Sequence, residues 1–147
     1  MTAQQVTATG AIDNTPEAVL SYIADVRNRT FYLPSLKATS NIKGEPASAS
    51  TTWTWTWVLM GMEFVGTARS VAYQPGKLYS FKTEGGIEST WTYTVAAEGK
   101  GTRLTAQVEY QPPTGVLARL RGDAQQRHQA EVDQVLQNLK AILDRNT

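Results

Sequence analysis

Residues 51–111 alternate between apolar and polar side chains, a pattern typical of β-strands with one buried face. The alternation is strictest at residues 52–57 (TWTWTW) and 90–95 (TWTYTV), and it recurs at residues 104–110. Because successive side chains of a strand point to opposite faces, each run places its large apolar residues on one face and its polar residues on the other. Turn signals that contain glycine separate the runs, so the pattern predicts a meander of antiparallel hairpins.

Before this region, the chain predicts one strand, two short helices and a further strand. Apolar residues alternate loosely at residues 5–12, which predicts the first strand. Thr15 followed by Pro16 is a typical helix start, because threonine caps the first turn and proline fits its first position. A second short helix or turn is predicted at residues 25–33, and another strand at residues 36–44.

After the β region, apolar residues recur at steps of three and four from Leu117 to Ile142, which predicts a long C-terminal helix. Gly122 and Asp123 interrupt this stripe, so we expect a kink there. Glycine also adds backbone freedom to a helix. We therefore expect residues 114–122 to gate access to the interior.

These elements predict one α+β domain that covers residues 1–147. In this fold, a curved antiparallel sheet of about six to seven strands wraps the long C-terminal helix. Two short helices follow the first strand. The sheet and the helix are expected to enclose an apolar cavity for a small molecule.

Composition removes several classes of function. Hydrophobic residues make up 41% of the chain, charged residues 18%, and the net charge is +1, so nothing favours nucleic acid as a partner. The chain has no cysteine and one histidine, which argues against a zinc site and against thiol chemistry. No dinucleotide or phosphate-loop fingerprint is present, so we expect neither a metal nor a cofactor. The first residues do not read as a secretory signal, and the longest apolar stretch is too short to span a membrane, so a cytoplasmic location is expected.

The tryptophan residues are the strongest candidates for a site. Trp53, Trp55 and Trp57 share one face, and exposed they would form an apolar patch of about 600 Å², near the upper limit for a monomer. We therefore expect them to face inward or to lie in an interface. Trp91 and Tyr93 likewise share one face of their strand, and the threonines between and beside them share the other. Two interpretations remain open: the rings are ordinary core, or they line a pocket with apolar walls and a few hydrogen-bonding groups.

Two basic residues are also candidates. Arg69 either points into the pocket, where it could hold a carboxylate or enolate, or lies exposed on the convex face. His128 lies on the apolar stripe of the C-terminal helix, and it faces either the cavity or the edge of the sheet. No residue is assigned a catalytic role. The candidate ligand-binding residues are Trp53, Trp55, Trp57, Arg69, Phe81, Trp91, Tyr93, Tyr110 and His128.

Several short sequence segments resemble those of a known superfamily. Residues 21–25 (SYIAD) and 33–35 (LPS) look like its first two helices. Residues 71–78 (VAYQPGKL) look like its central strand-turn-strand, and residues 101–105 (GTRLT) like the hairpin before its last strand. Together they resemble the helix-grip (START and birch-pollen-allergen-like) superfamily, which includes the polyketide cyclase/dehydrase and lipid-transport-like (SRPBCC) proteins.

The resemblance implies three functions. The favoured one is to bind or carry a small hydrophobic ligand, aromatic or polycyclic, in an internal cavity. The alternative is a polyketide cyclase or aromatase, in which Arg69, Tyr93 or His128 would stabilise an enolate. A further alternative is an accessory protein like those associated with carbon monoxide dehydrogenase, whose partner is another protein. A homodimer also remains open. A function inferred from fold alone is an analogy.

Overall fold

Seven antiparallel strands form a single sheet in the order β1-β7-β6-β5-β4-β3-β2. The computed structural model describes residues 4–59, 61–85, 88–110 and 124–145, with side chains for all of these except 4, 59 and 124–128. Within these residues the elements are β1 (Gln4–Ile12), α1 (Pro16–Ala24), a 3-10 turn (Val26–Asn28), α2 (Arg29–Tyr32), β2 (Leu36–Lys43), β3 (Thr52–Leu59), β4 (Met62–Gln74), β5 (Leu78–Glu84), β6 (Ser89–Glu98), β7 (Gly101–Tyr110) and α3 (Ala124–Leu143).

The two short helices connect the two edges of the sheet. β1 and β2 lie at opposite edges, although they are neighbours in sequence. Because strands are spaced by about 4.8 Å, the connection must cross on the order of 29 Å. Residues 13–35 make this crossing, and α1, the 3-10 turn and α2 all lie within it. The helices therefore cover one face of the sheet, which we call the inner face.

Helix α1 begins where the sequence predicts. The Thr15 hydroxyl accepts a hydrogen bond from the backbone N–H of Ala18 at 3.2 Å, and Pro16 occupies the first turn. Val19, Leu20 and Ile23 are fully buried. The amphipathic pattern of this helix is thus satisfied by packing on the inner face.

Helix α3 packs chiefly on β1. Gly10 of β1 permits this approach, since a Cβ at that position would lie 3.0 Å from the Leu136 side chain. The C-terminal end of α3 is fixed by polar contacts: the Asp13 N–H donates to Asp144 Oδ1 at 2.7 Å, and Asn14 Nδ2 donates to the Leu143 carbonyl at 3.0 Å. None of the described helices is both long and apolar enough to cross a membrane. The expected kink at residues 122–123 and the expected gate at 114–122 lie outside the described residues.

The register of β3 and β4 defines which side chains face inward. Trp53 pairs with Ala68, Trp55 with Gly66, and Trp57 with Phe64 across these two strands. Period-two alternation then places the intervening threonines of β3 on the outer face. The expected separation of tryptophans from threonines is confirmed.

Candidate functional site

Aromatic side chains from β3, β5 and β6 form a continuous network on the inner face. The ring centroids of Trp53 and Phe81 are 5.5 Å apart, and Phe81 and Trp91 stack at 6.0 Å with planes 5° apart. Trp91 also contacts Tyr93 at 6.2 Å and Trp57 at 6.5 Å. Such distances are typical of favourable ring pairs. We call Trp53, Trp55, Trp57, Phe81, Trp91 and Tyr93 the inner aromatic surface; Trp57 is half-buried and the others are buried.

Trp55 is held against the backbone of the neighbouring strand. Its indole Nε1 donates a hydrogen bond to the Thr67 carbonyl at 2.8 Å. The ring lies over Gly66, where an added Cβ would collide with both the Trp55 ring and the Glu84 carbonyl. Glycine at position 66 therefore allows the Trp55 ring to pack directly against the backbone of β4.

Tyr110 lies at the end of β7 opposite Ser89, on the same face as Trp91. It is buried, and burial raises the pKa of its hydroxyl. The structure thus brings the aromatic candidates to the inner face.

Arg69 lies on the outer face, which answers the question left open by the sequence. Its guanidinium is half-exposed and pairs with Glu84 at 3.5 Å. It borders a groove of about 350 Å³ whose other polar side chains include Lys43 and Thr54. Arg69 therefore does not join the inner aromatic surface. His128 belongs to α3, but its side chain lies outside those that the structure describes.

Arg29 is a central residue that the sequence analysis missed. Its side chain is 1% exposed, and its guanidinium carbon lies 4.3 Å from the Phe81 ring centroid and 4.7 Å from that of Trp53. Nη2 donates to the Tyr79 hydroxyl at 2.6 Å, and Nε donates to the Ile23 carbonyl at 3.3 Å. A buried cation thus stands over the centre of the inner aromatic surface.

The end of α1 explains why a cation is tolerated at this position. The last carbonyls of a helix lack partners within the helix and carry its partial negative charge. Ile23 and Ala24 end α1; the Ile23 carbonyl accepts from Arg29 Nε and also from the Tyr32 hydroxyl at 2.9 Å. A sequence signal existed: Arg29 follows buried Val26 by three residues and precedes buried Tyr32 by three, so it falls on the buried side of this helical segment.

Ionisable groups at and beside the inner aromatic surface have shifted pKa values. Burial raises the pKa of the Tyr32 and Tyr93 hydroxyls well above that of an exposed tyrosine, so both keep their protons at neutral pH. Burial also raises the pKa of Glu131 on α3, although Ser35 donates to this carboxylate from its N–H at 3.2 Å and its hydroxyl at 2.9 Å. The part of the chain that the structure describes contains no cluster of three or more His, Asp or Glu side chains that could hold a metal ion.

A seven-stranded antiparallel sheet with two short helices after its first strand and a C-terminal helix packed on it defines a helix-grip protein. The chain belongs to the polyketide cyclase/dehydrase and lipid transport family, whose sequence profile matches residues 3–144. The resemblance seen in the sequence is confirmed. No match to a curated protein is found by sequence.

Solved structures share this fold at low sequence identity. The TTHA0849 protein of Thermus thermophilus has a TM-score of 0.79 at 23% identity, over 94% of this chain and 95% of that one. The Zhui aromatase/cyclase of Streptomyces sp. R1128 has a TM-score of 0.73 at 12% identity, over 93% of each chain. Ginseng major latex-like protein 151 of Panax ginseng has a TM-score of 0.70 at 10% identity, over 97% of this chain and 99% of that one. At these identities, the likeness establishes the fold alone.

Proposed function

We propose that this protein binds a small, flat, apolar ligand against the inner aromatic surface. The single observation that carries the proposal is the continuous ring network from Trp53 through Phe81 and Trp91 to Tyr93. Ordinary cores use mainly interdigitating aliphatic side chains, whereas pockets for small molecules combine aromatic walls with a few polar groups. Here the polar groups are the Arg29 guanidinium and the Tyr93 hydroxyl.

The position of α3 supports this proposal. α3 packs chiefly on β1 at one edge of the sheet, whereas the tryptophans of β3 lie next to the opposite edge. Four strands separate β3 from β1 in the sheet order. We expect a ligand to lie between α3 and β3 beside Trp57, which is the half-buried ring of the inner aromatic surface.

A neutral fluorescent probe tests the proposal. We expect N-phenyl-1-naphthylamine to bind with a stoichiometry of one and to quench tryptophan emission by energy transfer. Trp57→Ala should weaken binding by about tenfold, since burying a large side chain contributes roughly 1.5–3 kcal/mol. Trp57 is suited to this test because it is only half-buried, so its truncation costs less folding energy than that of its neighbours.

Val65→Ala is the matched control, because Val65 is an exposed apolar residue on the outer face. It should leave the affinity unchanged. Absence of saturable binding, or an equal loss in the two variants, would contradict the proposal. Native mass spectrometry of freshly purified protein would show in addition whether a small molecule is retained.

A polyketide cyclase or aromatase is the second candidate. The observation in its favour is the Tyr93 hydroxyl, which is buried, protonated and adjacent to the ring network. The Zhui aromatase/cyclase shares the fold. Turnover of a poly-β-ketone that is lost in Tyr93→Phe would favour this candidate over a carrier.

A further inference from the structure

Arg29 carries a full positive charge into the protein interior and forms no direct ion pair with a carboxylate among the described residues. Asp25 interacts with it only at longer range: the hydrogen bond from Arg27 chiefly lowers the pKa of this carboxyl group, and the charge of Arg29 contributes. Carbonyl and hydroxyl dipoles satisfy Nε and Nη2, but Nη1 is buried and has no hydrogen-bond partner there. An isolated buried charge is costly unless it is paired. The Ile23 carbonyl at the end of α1 and the Tyr79 hydroxyl on β5 thus account for two nitrogens of the guanidinium and leave Nη1 free.

The Tyr93 hydroxyl is the second buried polar group without a partner in the described part of the chain. Tyr93 lies directly opposite Tyr79 in the register of β5 and β6, on the same face. Tyr79 in turn accepts the hydrogen bond from Arg29 Nη2. The Arg29 guanidinium carbon lies 5.1 Å from the centroid of the Tyr79 ring, and its charge acts on the pKa of Tyr93. Tyr93 and Arg29 therefore border one site.

Both unpartnered groups are donors. A guanidinium has no acceptor, and a protonated phenol donates its O–H. Their complement is an oxygen that accepts hydrogen bonds and carries negative charge, because charge-assisted hydrogen bonds are the stronger ones.

Glu131 is the acidic side chain of α3 whose charge acts on Tyr93, and it is already engaged. Its two carboxylate oxygens accept hydrogen bonds from Ser35. Among the described residues Glu131 forms no ion pair with Arg29, and it is not one of the groups whose charge acts on the guanidinium.

We infer that the ligand of the inner aromatic surface is an aromatic carboxylic acid, bound as its anion. One carboxylate oxygen accepts from Arg29 Nη1 and the other from Tyr93, while the ring system lies on the tryptophans. This inference rests on the proposed function and names its ligand class.

A matched pair of probes tests it: 2-naphthoate and its neutral isostere 2-naphthamide, titrated calorimetrically at pH 7. The wild-type protein should bind 2-naphthoate at least tenfold more tightly, since hydrogen bonds to charged groups change affinity by about tenfold or more. Tyr93→Phe should reduce 2-naphthoate affinity about tenfold and reduce this preference. Thr56→Val, which removes a hydroxyl from a half-buried residue on the outer face of β3, should leave both affinities unchanged.

Arg29→Met is the obvious variant, but Arg29 also holds the end of α1, so this variant can fail to fold. The comparison of 2-naphthoate with 2-naphthamide, and the Tyr93→Phe variant, test the inference without requiring Arg29→Met to fold. If N-phenyl-1-naphthylamine binds while 2-naphthoate binds no more tightly than 2-naphthamide, the inference fails and the proposed function stands. A 2-naphthoate preference unchanged by Tyr93→Phe also overturns the inference. If none of the three probes binds, both proposals fail.

Discussion

Two fully buried tyrosines on the inner side of the protein allow a matched test of the site. Tyr32 donates its hydroxyl to the Ile23 carbonyl at 2.9 Å, whereas the Tyr93 hydroxyl has no partner among the described residues. Both residues can be changed to phenylalanine with the ring retained. The two substitutions therefore differ in the hydrogen bond that is lost.

The two substitutions are expected to change the free energy of unfolding in opposite directions. Removing a hydroxyl that makes a buried hydrogen bond costs about 1 kcal/mol, so Tyr32→Phe should lower the free energy of unfolding by about that amount. Removing a buried hydroxyl that makes none relieves a desolvation penalty of about 1–3 kcal/mol. Because the loss of the oxygen leaves a small void, we expect Tyr93→Phe to raise the free energy of unfolding by about 1 kcal/mol.

Urea unfolding without ligand, followed by tryptophan fluorescence, measures both changes. The slope against urea should stay the same, so that the midpoints alone move. A loss of stability in Tyr93→Phe as large as that in Tyr32→Phe would refute the reasoning. It would mean that the Tyr93 hydroxyl is satisfied in the unliganded protein and is not free for a ligand.

Three further predictions concern the surroundings of the site. Gly66→Ala should cost about 1–3 kcal/mol and shift the emission of Trp55, because the methyl group collides with the indole; a loss below about 0.5 kcal/mol in urea unfolding would contradict this close approach. The pKa of Glu131 is raised above its ordinary value of 4.5, so its ionisation opposes folding and its contribution to stability falls as pH rises through the raised pKa. Glu131→Gln should accordingly gain stability relative to wild type between pH 4 and 7, and a constant difference would argue against the shift. Arg69→Ala should change stability by less than about 0.5 kcal/mol, since its ion pair with Glu84 is exposed, and should leave probe affinity unaltered.

The strands could be predicted because their pattern is local. Alternation at residues 52–57 depends only on successive side chains pointing to opposite faces, and the structure places Trp53 and Trp55 inward accordingly. The turns follow from glycines that adopt positive φ, such as Gly76 at 74°. Neither feature requires knowledge of distant residues.

The face of Arg69 was harder to predict because β4 contains a bulge. The sequence groups Arg69 with Tyr73, which lies four residues later and would share its face in a regular strand. The pairing with β5 shifts between Ser70 and Ala72, and Tyr73 then faces inward, where it contacts Tyr79 at 5.8 Å. A one-residue bulge moves every following side chain to the other face, and no local signal marks it.

Arg29 could not be identified as a site residue for a different reason. A charged side chain is assigned to solvent unless a partner is known, and here the partners come from separate elements. The Ile23 carbonyl is available only because α1 ends there, and Tyr79 is 50 residues away in sequence. Spacing alone places Arg29 on the buried side of its helix, but the cost of burying its charge argues against that placement until these dipoles are seen. The same contacts fix the guanidinium and leave Nη1 free, so the group most relevant to ligand recognition follows from tertiary structure and not from the local pattern.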